Sequence, residues 1–318
     1  MHVSRAQRSH ERRFHHWLKL FTSELPLQSI DARIEELLSV FELEPLEVNL
    51  FRGQSQDIGS PQVFGGQVLG QALRAAFATV PAERTVHSLH AYFLRRGDCT
   101  APIVYDVDRS RDGKSFSSRR VVAIQHGEQI FTMAASFQVA EAGFDHQIAM
   151  PEVPAPESLP DATEPLREIL REMPERVPER VRRFIEMPWP FEFREVQPSN
   201  YLEPRSAPPA RQVWFRAVGR LPDEPVLHRC VLAYVSDLYL LDTATLPHGT
   251  SFLSNKVIMA SIDHAMWFHR PLRVDEWLLY ALDSPSASGA RGFARANVFA
   301  RDGRLVASTA QEGLIRVA

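Results

Sequence analysis

The octapeptides HAYFLRRG, at residues 90–97, and HAMWFHRP, at residues 264–271, are near copies of each other that lie 174 residues apart. The sequence around each copy follows the same order. In the first half, the alanine-rich segment FGGQVLGQALRAAF predicts an apolar helix, and four strand-like runs follow it. In the second half, EPVLHRCVLAYVSDLYLLDTA predicts a long apolar helix, and strand-like runs follow again. Each copy is much longer than the roughly 20–50 residues of a solenoid repeat, so we predict a duplicated domain.

One apolar helix followed by an antiparallel meander indicates how each copy folds. Such a helix satisfies its own backbone hydrogen bonds, while a curved sheet can shield its side chains from water. This is the hotdog arrangement, and the predicted class is α+β. A single hotdog leaves an open sheet edge, so two fused copies are expected to pair with each other.

The predicted domain organisation has four parts. Residues 1–28 form a basic N-terminal extension, residues 29–147 form the first hotdog repeat, and residues 206–318 form the second. Residues 148–205 are predicted to be a linker, because 13 of the 23 prolines fall between Pro151 and Pro209. Proline interrupts helices, so broken helical pieces are expected there.

Composition excludes several classes of protein. A net charge of −3 gives no reason to expect nucleic-acid binding, which needs clustered basic surface. No run approaches the roughly 18–20 apolar residues that span a bilayer, so we expect no stable membrane insertion. With only two cysteines, a disulfide framework is not expected, and a cytoplasmic location fits. Sheet surface left exposed by fused hotdogs predicts a homo-oligomer, either a dimer or a tetramer.

Asp237 is the most informative polar residue of the sequence. It lies in the predicted second helix, where the positions three and four residues away on either side are Ala233, Tyr234, Leu240 and Leu241. A carboxylate on such an apolar face is costly to bury unless hydrogen bonds compensate, and a partly desolvated carboxylate can act as a base on water. The alternative is a carboxylate at a helix end that faces solvent or pairs with an arginine.

The duplication makes Ser261 and Gln311 candidate site residues. Each is ordinary alone, but aligning the copies places Ser261 opposite His87 and Gln311 opposite Ala135. Polar differences at matched positions suggest that only the second copy carries out chemistry. His264 instead recurs as His90, which favours a structural role for both.

Other candidate residues have equally good structural explanations. Asp242 and His248 could form an acid–base pair, or a helix cap and a turn. Cys99 and Cys230 have no obvious activating neighbour and are predicted to be unreactive. No metal or cofactor constellation is evident, so none is expected.

Several segments together resemble the bacterial acyl-CoA thioesterase II family. They include FRGQSQD, VFGGQVLGQAL, HSLHAYFLRRGD, YVSDL, IDHAMWFHRP and STAQEGLIR, and they lie in family order from about Ile34 to the C-terminus. The resemblance implies a double-hotdog hydrolase in which an Asp, a Thr and a Gln hold the attacking water. The Asp corresponds to Asp237 and the Gln to Gln311. Ser261 takes the place of the Thr. Serine keeps the hydroxyl but lacks the methyl group that restricts the rotamer of threonine.

The resulting hypothesis is hydrolysis of medium- to long-chain fatty acyl-CoA to free acid and CoA. The acyl chain is expected in an apolar tunnel between helix and sheet. Two alternatives stay open at this point: a hotdog enoyl-CoA hydratase that uses Asp242 and His248, and a non-catalytic acyl-CoA binding protein.

Overall fold

A computed structural model describes residues 29–59, 62–172, 174–177, 179–200, 203–252 and 257–318. The predicted extension, residues 1–28, lies outside these described residues. Within them the chain has the predicted α+β double-hotdog fold, because each half wraps an antiparallel sheet around one apolar helix.

The first half contains two helices and six strands. Helix α1 begins after Ser29, whose hydroxyl caps it by accepting a hydrogen bond from Ala32 N at 3.1 Å. It buries Ile34, Leu37 and Val40 against the core. The elements are α1 Ile30–Val40, β1 Glu44–Glu47, β2 Leu50–Gly53, α2 Gly65–Phe77, β3 Arg84–Phe93, β4 Ile103–Asp112, β5 Phe116–Gln125 and β6 Glu128–Val139.

The second half contains the broken helical pieces and the second repeat. Two short helices lie among the prolines, as expected, but a strand follows them and pairs with the next strand along the chain. The elements are α3 Glu164–Glu172, α4 Glu179–Glu186, β7 Phe191–Glu195, β8 Ala210–Ala217, α5 Pro225–Val235, the 3-10 helix Leu241–His248, β9 Val257–Ser261, β10 Asp263–Phe268, β11 Leu278–Ser288, β12 Arg291–Ala300 and β13 Leu305–Val317.

The thirteen strands found in the described part of the chain form one sheet, in the order β1-β2-β4-β5-β6-β3-β10-β13-β12-β11-β8-β7, with β9 also paired to β13. Every pair is antiparallel. The two octapeptides meet at the centre of this sheet, where β3 pairs with β10 and His90 lies opposite Ala265. The pairing of the two copies therefore takes place through the repeated segment itself.

The two central helices, α2 and α5, pack against each other inside the curved sheet. They run antiparallel, because Gly66 lies against the carbonyl of Tyr234 and Gly70 against the carbonyl of Cys230. A Cβ atom at Gly66 would lie 2.1 Å from the Tyr234 oxygen, so the absence of a side chain allows this close approach. The N-terminus of α2 consequently lies beside the C-terminus of α5.

Two predicted elements are shorter than expected. The long helix predicted for residues 224–244 ends at Val235, and Asp237 lies just beyond it instead of on an apolar helix face. The single strand predicted for NKVIMASIDHAMWFHRP, residues 255–271, is interrupted at Ile262, and its first two residues lie outside the described ranges. Among the described residues, no helix has both the length and the apolar character needed to cross a membrane.

Candidate active site

A cavity of about 500 Å³ lies where the two repeats meet. The first repeat contributes Gly65 at the start of α2 and Phe93 at the end of β3, and the second contributes Asp237 and Ser261. Since neither repeat encloses this space alone, the cavity depends on the duplication.

Asp237 reaches the cavity because α5 stops immediately before it. The hydroxyl of Ser236 donates to Ala233 O at 2.9 Å, and the Tyr280 hydroxyl donates to Ser236 O at 2.8 Å, which satisfies carbonyls that a longer helix would use. Burial raises the pKa of Tyr280 well above its ordinary value, so this hydroxyl stays protonated and can donate. The chain then turns at Tyr239, which has a left-handed φ of 65°.

The structure brings Asp237, Ser261 and Gln311 into mutual contact. Gln311 Nε2 donates to Asp237 Oδ1 at 2.7 Å and to Ser261 Oγ at 3.1 Å. Ser261 Oγ also donates to Asp237 Oδ1 at 3.4 Å. Gln311 is fully buried, and the side chain of Asp237 is only 5% exposed, so hydrogen bonds to the carboxylate offset part of the cost of its burial.

A β-bulge directs the side chains of Ser261 and His264 to the same glutamine. In a regular strand, residues three apart point to opposite faces of the sheet. Here Ser261 pairs with Gly313 and Ala265 with Ala310, so one strand carries one more residue than its partner across this interval. The extra residue turns both side chains toward Gln311.

Two acceptor atoms of the group are left open. All the hydrogen bonds that Asp237 accepts from described residues go to Oδ1, while Oδ2 lies 2.6 Å from where a Cβ atom of Gly65 would be. Gln311 Oε1 is buried and has no hydrogen-bond partner among the described residues. A buried acceptor without a protein partner is uncommon, so Gln311 Oε1 is a candidate atom for binding a water molecule or a substrate group.

Sequence reasoning did not include Gly65 or His264 in the site. The paired glycines of FGGQVLG predict close packing of the helix on the sheet, whereas Gly66 lies against the Tyr234 carbonyl of the other central helix, and Gly65 makes room for Asp237 and the ring of Phe93. His264 is fully buried with Nδ1 3.3 Å from Gln311 Nε2, whereas His90 is exposed and its ring packs on Trp267. The octapeptide alignment thus pairs two histidines that have different surroundings.

The other candidates are placed elsewhere. Asp242 is buried and forms an ion pair with Arg211 at 3.1 Å, and His248 is exposed. No hydrogen bond or ion pair between described residues joins Asp242 to His248. Cys230 is buried and Cys99 half-buried, and burial raises the pKa of the Cys230 thiol to about 12, as an unreactive thiol requires. Within the described ranges, no cluster of three His, Cys, Asp or Glu residues could hold a metal ion.

Comparison with known proteins identifies relatives along most of the chain. A family model for acyl-CoA thioesterase matches residues 182–314, and one for the acyl-CoA thioesterase N-terminal domain matches residues 52–138. Acyl-CoA thioesterase 2 from Haemophilus influenzae is 43% identical over 283 residues, which are 89% of this chain and 98% of that protein.

Solved structures agree with the sequence comparison. Acyl-CoA thioesterase II TesB2 from Mycobacterium marinum is 44% identical, with a TM-score of 0.72 over 89% of this chain and 98% of that chain. A hot dog fold protein of unknown function from Alicyclobacillus acidocaldarius also has a TM-score of 0.72 over 89% of this chain and 98% of its own. At 19% identity, it supports the fold alone. With relatives this similar over nearly their whole length, the chain belongs to the acyl-CoA thioesterase II family and is a thioester hydrolase.

Proposed function

We propose that the chain hydrolyses medium- to long-chain fatty acyl-CoA through a water molecule held by Asp237, Ser261 and Gln311. The observation that carries this proposal is the pair of open acceptors, Asp237 Oδ2 and Gln311 Oε1, beside a carboxylate fixed through its other oxygen. A water that donates one hydrogen to each acceptor would have a lone pair left for the thioester carbon.

In the proposed reaction, Asp237 acts as the general base. Its Oδ2 takes a proton from the water as the oxygen bonds to the thioester carbon, and the proton then passes to the sulfur as the C–S bond breaks. Ser261 and Gln311 hold Oδ1, so the carboxylate is already oriented before substrate binds. The products are a fatty acid and CoA thiol, and no covalent enzyme intermediate is needed.

The oxyanion of the tetrahedral intermediate would face the N-terminus of α2. The first N–H groups of a helix have no acceptor within the helix, and α2 has no side-chain cap at Phe64. The amides of Gly65 and Gly66 therefore provide donors next to Asp237.

The remaining cavity wall suits the two ends of the substrate. Val68, Phe93 and Phe131 provide apolar surface for an acyl chain between α2 and the sheet. Arg95 and Arg96 are exposed at the cavity wall, where guanidinium groups could bind the phosphates of CoA.

We also propose that the protein acts in the cytoplasm as a homo-oligomer. Both cysteines are free, which suits a reducing compartment. Tyr92 and Trp267, on the two central strands, are 55% and 37% exposed, an apolar surface that a second copy could cover. Light scattering on the purified chain would give its mass, and a monomer at micromolar concentration would contradict self-association.

Thiol release from a series of acyl-CoA substrates tests the proposed activity. We expect turnover to rise from acetyl-CoA to decanoyl-CoA, because longer chains bury more apolar surface in the cavity. Crotonyl-CoA serves as the control for a hydratase: loss of its conjugated absorbance without thiol release would identify hydration instead. Saturable binding of every acyl-CoA without thiol release would identify a binding protein.

A further inference from the structure

His264 is enclosed by hydrogen-bonding groups at the centre of the sheet. Its side chain is fully buried. On one edge of the ring, Nε2 lies 3.0 Å from Ser236 Oγ and 3.0 Å from Thr309 Oγ1. On the other edge, Nδ1 lies 3.3 Å from Gln311 Nε2.

These contacts determine which ring nitrogen carries the hydrogen. Ser236 Oγ donates to Ala233 O and Thr309 Oγ1 donates to Ala265 O, each at 2.9 Å. A hydroxyl group has one hydrogen, so both hydroxyls can only accept from the ring. Nε2 must then be the protonated nitrogen. Burial lowers the pKa of His264 to about 4, so the ring is neutral near pH 7 and Nδ1 is an acceptor.

We propose that His264 is a positioning residue that fixes the amide orientation of Gln311 and thereby orients the catalytic carboxylate. The inference rests on the proposed function of Asp237 and Gln311. An Nδ1 acceptor favours the amide NH2 group on its side, so that the two N–H bonds of Gln311 Nε2 face three acceptors, His264 Nδ1, Asp237 Oδ1 and Ser261 Oγ. Its oxygen, Oε1, is then left to accept from water.

The opposite amide orientation is unfavourable at two of the three contacts of Gln311 Nε2, since only the Ser261 hydroxyl could donate to an oxygen placed there. It would place Oε1 at 2.7 Å from Asp237 Oδ1 and at 3.3 Å from the unprotonated Nδ1, which are contacts between acceptors. The hydroxyls of Ser236 and Thr309 thus act through the histidine tautomer on a glutamine that they do not themselves contact in the described network.

Two substitutions of His264 separate this role from simple packing. Asn carries an oxygen on Cγ, where the ring carries Nδ1, whereas Gln carries its polar atoms one bond further out, near the position of Nε2. His264→Asn can therefore keep the acceptor for Gln311, and His264→Gln can keep the donor to Ser236 and Thr309. A purely structural role predicts that His264→Gln is the better replacement.

We expect the reverse order in turnover. In a thiol-release assay, His264→Gln should lower kcat about tenfold, the rate equivalent of one lost hydrogen bond, with little change in KM. His264→Asn should stay within about threefold of wild-type kcat, a loss smaller than that of one hydrogen bond. If His264→Gln has the higher kcat, the positioning role is wrong.

A double-mutant cycle shows whether the effect passes through the glutamine. Introducing His264→Gln into a Gln311→Leu background should cost little further activity, because there is no amide left to orient. An undiminished loss in that background would overturn the proposal.

The tautomer can be measured on the wild-type protein without any turnover. In protein labelled with 15N histidine, we expect the His264 resonances of an unprotonated Nδ1 and a protonated Nε2. A protonated Nδ1 would contradict the proposal, since it would face a donor. If the wild type has the expected tautomer but releases no thiol from any acyl-CoA, the proposed function is wrong, whereas the inferred orientation of Gln311 still holds.

Discussion

At the scale of single residues, the two oxygens of Asp237 have different surroundings. Oδ1 is fixed by Gln311 and Ser261, while Oδ2 is next to the first residue of α2 and accepts no hydrogen bond from the described residues. This division lets one carboxylate be held rigidly and still accept a proton.

Ser261 is expected to contribute through its hydroxyl. Ser261→Ala removes a donor to Asp237 and should lower kcat by up to about tenfold, while Ser261→Thr should retain activity because it keeps the hydroxyl and restricts the rotamer. Steady-state thiol release with decanoyl-CoA compares the three proteins. Equal turnover of Ser261→Ala and wild type would exclude the hydroxyl from the reaction.

His264 predicts a pH dependence of stability. Its pKa falls from an ordinary 6.5 to about 4 on folding, because burial disfavours the charged ring. Between these values the unfolded chain binds a proton that the folded chain does not, so the free energy of unfolding falls as pH falls, by up to about 3 kcal/mol.

The variant His264→Asn isolates this contribution from those of the other histidines. Urea unfolding of both proteins at pH 7, 6, 5 and 4.5 gives the difference in unfolding free energy between wild type and variant. That difference should shrink toward low pH, and a constant difference would show that His264 does not titrate as described.

At the scale of elements, the site depends on where helices end and where a strand is irregular. Helix α5 stops at Val235, and a bulge separates β9 from β10, and both features direct polar side chains into one cavity. The start of α2 completes the arrangement with two glycines that have separate tasks.

Adding a methyl group at the two glycines should have different effects, on turnover at Gly65 and on stability at Gly66. Gly65→Ala would place Cβ 2.6 Å from Asp237 Oδ2, so kcat should fall while the fold persists. Gly66→Ala would meet the Tyr234 carbonyl at 2.1 Å, so we expect about 1–3 kcal/mol of lost stability from overpacking. Thiol release and urea unfolding on both variants measure the two effects. Full activity of Gly65→Ala would show that the close approach of Gly65 to Asp237 Oδ2 is not needed for turnover.

The spacing of hydrophobic residues along the sequence predicts most helices and strands, but it does not predict the end of α5 or the bulge between β9 and β10. The repeated order of helix and strands, the Ser29 cap and the broken helices among the prolines are all local patterns, and the structure contains them. The end of α5 depends on Tyr280, 44 residues away from Ser236, and the bulge depends on register with β13, so neither is encoded locally. Apolar neighbours in the sequence single out Asp237, the contrast between the copies singles out Ser261 and Gln311, and the family resemblance supports all three, whereas the contact of His264 with Gln311 is visible only in the structure.

At the scale of the whole molecule, the two repeats form one continuous structure. The sheet passes from β3 to β10 without interruption, and α2 packs on α5 through close backbone contacts. The cavity lies at this junction, so both copies form its wall although Asp237, Ser261 and Gln311 all belong to the second copy.

Continuity of the sheet predicts cooperative unfolding. Four of the five tryptophans lie between residues 189 and 277, so fluorescence reports mainly on the second half, whereas far-ultraviolet circular dichroism reports on both. The two signals should give the same urea midpoint, because exposing one repeat also exposes the packed face of the other. Separate midpoints would indicate that the repeats unfold independently.

The proposed role of Asp237 is tested most directly by the kcat of Asp237→Asn for decanoyl-CoA, measured by thiol release. Asn keeps the size of the side chain and its hydrogen bond from Gln311 but cannot take a proton at neutral pH, so kcat should fall by about 10²–10⁴-fold. Asp283→Asn, a change at an exposed carboxylate paired with Arg295, should leave kcat unchanged. Turnover of Asp237→Asn within a few fold of wild type would contradict water activation by this carboxylate.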